Sequence, residues 1–190
     1  MRPLSGKALI GGSAVIWFLL AGAGIGGADQ KDARLPDLFA QLQKAPDPMT
    51  AMEIEAQIWS IWLEAHDPAV DQLMSEGSEA MGIQKFGTAL EKFNAIIAQK
   101  PDFAEGWNKR ATLYYLMGNY EQSLADIDRT LELEPRHIGA LSGLGLVNMK
   151  MEREEAAADA FERVLKIDPQ NGSARNNLGI VQEILKRKQI

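Results

Sequence analysis

Apolar residues recur at three- and four-residue steps over most of this chain. Residues 104–117 carry Trp107, Ala111 and Tyr114, and residues 121–133 carry Leu124, Ile127 and Leu131. Residues 172–188 carry Ala174, Leu178, Val181 and Leu185. Such steps put each set on one face of a helix. Nearer the N-terminus, residues 36–45 and 48–65 predict two more helices, started by Pro36 and Pro48, the second with Ile54, Ile58, Ile61 and Trp62 on one face. Asp67-Pro68 starts the next helix. Gly118-Asn119 turns the chain between two helices, and Glu134-Pro135 ends the second, because a residue before proline is pushed out of the helical region.

The helical pattern repeats. Pro101, Pro135 and Pro169 stand 34 residues apart, and other columns keep the same step. Gly77, Ala111, Gly145 and Gly179 are small, as are Ala89, Ser123 and Ala157. Leu73, Trp107 and Leu141 are large and apolar, as are Phe93, Ile127 and Phe161; Ile97, Leu131 and Leu165 are aliphatic. Small residues such as Ala111 and Ser123 let two helices approach, and Trp107 fills the space beside them. A single helix pair cannot cover its own apolar face, so pairs must stack.

In period and column order this pattern resembles the tetratricopeptide repeat family, whose marks include Trp, Leu-Gly, Tyr, Ala, Phe and Pro at set positions. The second copy supplies Trp107, Tyr114 and Pro135. The third supplies Leu144-Gly145, Ala157, Phe161 and Pro169, and the first Gly77, Ala89, Phe93 and Pro101. The resemblance covers about residues 70–186. It implies an all-α, right-handed solenoid of about three helix pairs, residues 70–188, closed by a capping helix at 172–188. Lys186, Arg187 and Lys188 suit that helix's C-terminal dipole. Residues 29–69 are expected to form an N-terminal cap or a degenerate leading repeat.

The first 28 residues differ. Arg2 and Lys7 form a basic start, nothing from Ala8 to Ala28 is charged, and residues 14–20 are strongly apolar. A basic start, an apolar centre and small residues such as Gly26 and Ala28 describe a secretory signal cut after Ala28, with Ala21 and Ala23 offering a second site. The rival is an uncleaved anchor, since about 20 residues cross a bilayer. A buried helix of the main domain is the third reading. The first two put the folded part outside the cytoplasm: in the periplasm after cleavage, otherwise membrane-anchored.

Composition and chemistry narrow the function. The net charge of −6 and pI of about 5.0 argue against nucleic acid, whose binding rests on basic surface. No cysteine is present, which removes disulfides and thiolate metal sites. The two histidines, His66 and His137, lie at separate helix boundaries and read as structural or solvated. No zinc-protease, nucleophile-elbow or P-loop motif occurs, so no catalytic residues, metal or cofactor are expected. Gly139, Gly143 and Gly145 lack the order and preceding strand of a nucleotide loop and read as close-packing glycines, with Gly143 opening groove space. Arg110 stands where the family has Leu; a buried charge needs a partner, and Asp126 and Asp128 are the candidates. Glu152 to Glu155 read as a solvated turn and helix start.

The resemblance also implies a concave groove that binds a peptide or protein segment. By column its lining is Met74, Ser78 and Met81, then Glu105, Asn108, Lys109, Thr112 and Tyr115, then Ser142, Leu146, Met149 and Asn176. One family subtype clamps a C-terminal carboxylate, but Gly143 and Ser173 stand where it needs Asn and Lys, so no clamp is expected. The reading is a non-catalytic scaffold or assembly module of the cell envelope, touching membrane only through an uncleaved leader. The alternatives are a self-assembling homo-oligomer and, further off, an enzyme or glycan binder.

Overall fold

A computed structural model describes residues 29–188. A short 3-10 turn, Asp29–Lys31, leads into nine described helices: α1 (Leu35–Leu42), α2 (Pro48–Trp62), α3 (Pro68–Gly82), α4 (Phe86–Gln99), α5 (Ala104–Leu116), α6 (Tyr120–Leu133), α7 (Ile138–Lys150), α8 (Glu154–Ile167) and α9 (Gly172–Lys188). The predicted leader, residues 1–28, lies outside the described residues. Among the described residues, no helix is long and apolar enough to cross a membrane.

Local chemistry sets the helix ends. The Asp47 carboxylate accepts from the Met49 and Thr50 N–H groups, and the Asp67 carboxylate from Ala69 and Val70; a proline follows each aspartate. This satisfies N–H groups that a helix start leaves open, with a ring already at the helical φ. Lys100, Glu134 and Asp168, each just before a proline, leave helical geometry and close α4, α6 and α8. The turns inside the three pairs each hold one residue in the left-handed region: Gln84 (φ 60°), Gly118 (76°) and Glu152 (56°). Only the middle copy uses the residue without a Cβ penalty there.

Helices α3 to α8 stack as three pairs, and α9 closes the last. The small column makes this possible. A Cβ on Gly77 would lie 2.6 Å from the Phe93 ring, and one on Gly145 2.5 Å from Phe161. Each phenylalanine therefore seats directly on a helix backbone, where burial and close packing stabilise most.

The N-terminal pair differs from the expected leading cap. Helices α1 and α2 are shorter than their apolar patterns predicted; past Trp62 the chain turns through His66 (φ 51°) before Asp67 caps α3. The apolar face of the pair (Leu35, Phe39, Leu42, Ile54, Ile58, Ile61) shares a core with Leu141 of α7, Phe161 of α8 and Val181 of α9. The α3–α4 core is separate from it. The pair thus straps the proline loops that join successive repeats. Gln30 donates to the Asp102 carbonyl in the first loop, and Lys100 donates to the Ala65 carbonyl. Arg136, in the second, lies 4.2 Å from the Phe39 ring centre. At the third, Gln43 donates to the Lys166 carbonyl and Gln170 to the Ala45 carbonyl, both at 3.1 Å.

Candidate binding groove

Between α5 and α7 the array opens a cavity of about 160 Å³. Asn108, Thr112 and Tyr115 line it from α5, and Ser142, Gly143 and Leu146 from α7. Five of those six were in the expected groove, and Gly143 was expected to open space there. Ser123 and Ile127 reach the cavity from α6, behind the first layer. Gly143 makes the reach of Ile127 possible: a Cβ there would lie 3.5 Å from the Ile127 methyl.

The other expected groove residues lie elsewhere. Met74 is buried in the α3–α4 core, with 8% of its surface left exposed. Ser78 and Met81 are half-buried on α3, outside the cavity, Met81 packing on the α3–α4 core. Met149 packs beside the core shared with α1–α2. Asn176 is exposed on α9 in a separate hollow with Ile180 and Arg187. Lys109 is half-buried, its Nζ 3.3 Å from Glu105 Oε1.

Glu105 is the main departure. Its column faces the groove, yet its side chain is 0% exposed. Asn108 Nδ2 donates to Glu105 Oε2 at 2.9 Å, and His137 Nε2 lies 3.1 Å from the same oxygen. His137 Nδ1 accepts from the Ala140 N–H and caps α7, so Nε2 carries the proton and donates to Glu105. Burial pushes the Glu105 carboxyl up, but the His137 hydrogen bond, the Lys109 charge and the Asn108 bond outweigh it and hold the group below its ordinary value.

Helix α2 covers this pair. The Trp62 ring stacks on His137 at 4.3 Å and 7°, and Trp59 meets His137 edge-on at 5.4 Å. Trp59 also presses on Gly139, where a Cβ would lie 2.7 Å from its ring. Gly139 lines the cavity, so α2 forms its backing at that end. A chain of contacts therefore runs from α2 through His137 and Glu105 to Asn108. The sequence reads His137 as structural or solvated and puts Trp62 on the apolar face of α2, but does not bring Trp59 or Trp62 to His137, because both come from outside the repeat. The available signal was the pair Trp59 and Trp62 on a helix that no repeat column explains.

Arg110 is fixed by geometry. Its Nε and Nη2 donate to the two Asp126 oxygens at 2.7 and 2.8 Å, and Nη1 donates to Asn94 Oδ1 at 2.7 Å. Its guanidinium carbon also lies 5.0 Å from the Trp107 ring centre. The bidentate fork suits arginine alone. Asp128, the other candidate, is exposed on α6, about 200° around the helix from Asp126.

Comparison with known proteins agrees with this architecture. The family model of the tetratricopeptide repeat matches residues 74–135 and 108–172, together half of the chain. A TPR repeat-containing protein of Rhizobium etli is 38% identical over 129 residues, 68% of this chain and 63% of that one. The Hsp70-Hsp90 organizing protein of Triticum aestivum is 27% identical over 68% of this chain and 21% of its own length. The chain thus spans less than two thirds of either relative. Among solved structures, the first TPR of Spaghetti (RPAP3) bound to the HSP90 peptide SRMEEVD has a TM-score of 0.60 at 21% identity, covering 62% of this chain and 93% of that one. The Sgt2 TPR domain from Aspergillus fumigatus has 0.61 at 23%, covering 65% and 83%. At these identities the likeness is one of fold.

Proposed function

We propose, from the premise that this chain belongs to the tetratricopeptide repeat family, that it is a non-catalytic scaffold holding a peptide or protein segment in the cavity between α5 and α7. The carrying observation is that cavity: five of the residues that the repeat columns assigned to the groove converge on one mostly apolar hollow with a few polar groups. The peptide held by the Spaghetti domain supports a segment of chain as the kind of ligand. Fold alone does not name the partner.

The place of action in this proposal is the cell envelope, on the strength of the basic start and uncharged run of residues 1–28. The mass of the protein from its native source tests this. A chain starting at Asp29 supports export with cleavage, and an intact leader in the membrane fraction supports the anchor. An intact chain in the cytoplasm removes the envelope role. The groove is tested by cross-linked capture from envelopes, with Asn108→Ala and Tyr115→Ala combined as control. A partner lost only in the control supports the groove; equal recovery moves binding to another face. Self-assembly is the second reading, favoured by Met49 and Met52, 73% and 69% exposed on α2. A monomeric mass in solution removes it.

A further inference from the structure

Resting on that groove reading, we infer that the α5–α7 cavity takes an uncharged apolar side chain from a segment presenting backbone N–H donors, and discriminates against a segment ending in a carboxylate there. At about 160 Å³ the cavity falls below the roughly 300–1,000 Å³ of small-molecule sites and suits one side chain. Ala111, Ile127, Leu146 and Val147 supply its apolar wall.

The polar groups around that wall fix the rest of the ligand's chemistry. Asn108 Nδ2 gives one N–H to the Glu105 carboxylate, which can only accept; that fixes the amide's orientation and leaves Oδ1 as an acceptor. Thr112 Oγ1 donates to the Asn108 carbonyl at 3.0 Å, and Ser123 Oγ donates to the Ala111 carbonyl at 2.8 Å. All three therefore present acceptors. Ser142 can turn its hydroxyl either way. Both cations on α5 are engaged, Lys109 against Glu105 and Arg110 on Asp126 and Asn94. A ligand N–H thus finds partners here. A carboxylate meets acceptors backed by a buried negative charge, and in a low-dielectric wall that repulsion is felt strongly.

Helix α2 maintains this polarity. Trp62 and Trp59 hold His137, His137 holds Glu105, and Glu105 sets the Asn108 amide. Glu105 and His137 are positioning residues in this scheme and do not touch the ligand.

The test is an NMR titration of the full chain with two probes, acetyl-glycyl-leucyl-glycinamide and the same tripeptide with a free carboxylate. The amide-ended probe should shift the Asn108 side-chain amide together with Ser142, Gly143 and Leu146, and bind at least tenfold more tightly. Gly143→Leu should abolish those shifts with helicity intact, since a Cβ there meets only Ile127 at ordinary contact and a longer side chain enters the cavity. Glu105→Gln should narrow the difference between the probes. Equal or tighter binding of the carboxylate probe at the same resonances overturns the inference and leaves the groove reading standing. No shift with either probe also overturns the inference. The groove reading falls with it only where envelope capture is unaffected by the Asn108 and Tyr115 substitutions.

Discussion

The array and the strap are held by different means. From α3 to α8 one contact recurs, a small residue on the first helix of a pair receiving a large one from the second: Gly77 with Phe93, Gly145 with Phe161. Strap α1–α2 shares an apolar core with α7 to α9 and adds a seat that recurs at no other repeat: Trp59 and Trp62 on His137, backed by Glu105. Repetition spreads the array's stability over equivalent contacts. The strap adds to its apolar core one polar pair under two aromatic rings, and that pair also orients a groove residue.

The largest effect should come from the repeated contact. Phe93→Ala removes a fully buried ring and should cost about 3–5 kcal/mol in denaturant unfolding. Next, His137→Ala strips the partner from a buried carboxylate and should cost about 3 kcal/mol. Adding Glu105→Gln to it should restore part of the loss, a non-additivity that marks the seat as one unit. Additive costs would mean the two residues act separately.

Arg110→Ala should cost about 1.5–3 kcal/mol, and Arg110→Lys should recover less than half of it, because lysine cannot make the fork to Asp126 and Asn94. Asp128→Asn should change stability by less than about 0.5 kcal/mol.

Two carboxylates, Glu105 beneath the strap and Glu55 on it, should respond oppositely to pH. Glu105 is held below its ordinary 4.5, so the stability it contributes is complete above about that pH and is lost as pH falls through its folded value. Burial, then the charge of Asp168, raises Glu55, so its contribution is present at acid pH and is lost as pH rises through its folded value. At pH 7, Glu105→Gln should therefore lower the melting temperature and Glu55→Gln should raise it. Smaller effects test the turns. Glu152→Gly should add about 1 kcal/mol, because a left-handed residue with a Cβ is strained, and Gly118→Ala should cost a similar amount.

The array was legible because its contacts have a period. Pro101, Pro135 and Pro169 marked its loops, and the small column marked its helix crossings. Arg110 was legible as a charge in an apolar column. The strap was not: the apolar face of α2 says that it must pack, and nothing in the residues says against which surface. Within the groove, columns fix which face of a helix a residue lies on but not how closely neighbours cover it. Met74 and Glu105 share the groove face with Thr112, yet Met74 sinks into the α3–α4 core and Glu105 under His137. Ile127 reaches the cavity from α6 because Gly143 puts no side chain in front of it.

The most direct measurement is amide hydrogen exchange of the chain with and without the partner captured from envelopes. The account predicts new protection concentrated in residues 104–116 and 138–150, the two helices that line the cavity. Protection confined to α4, α6 and α8, or to the methionine face of α2, would contradict a groove that binds.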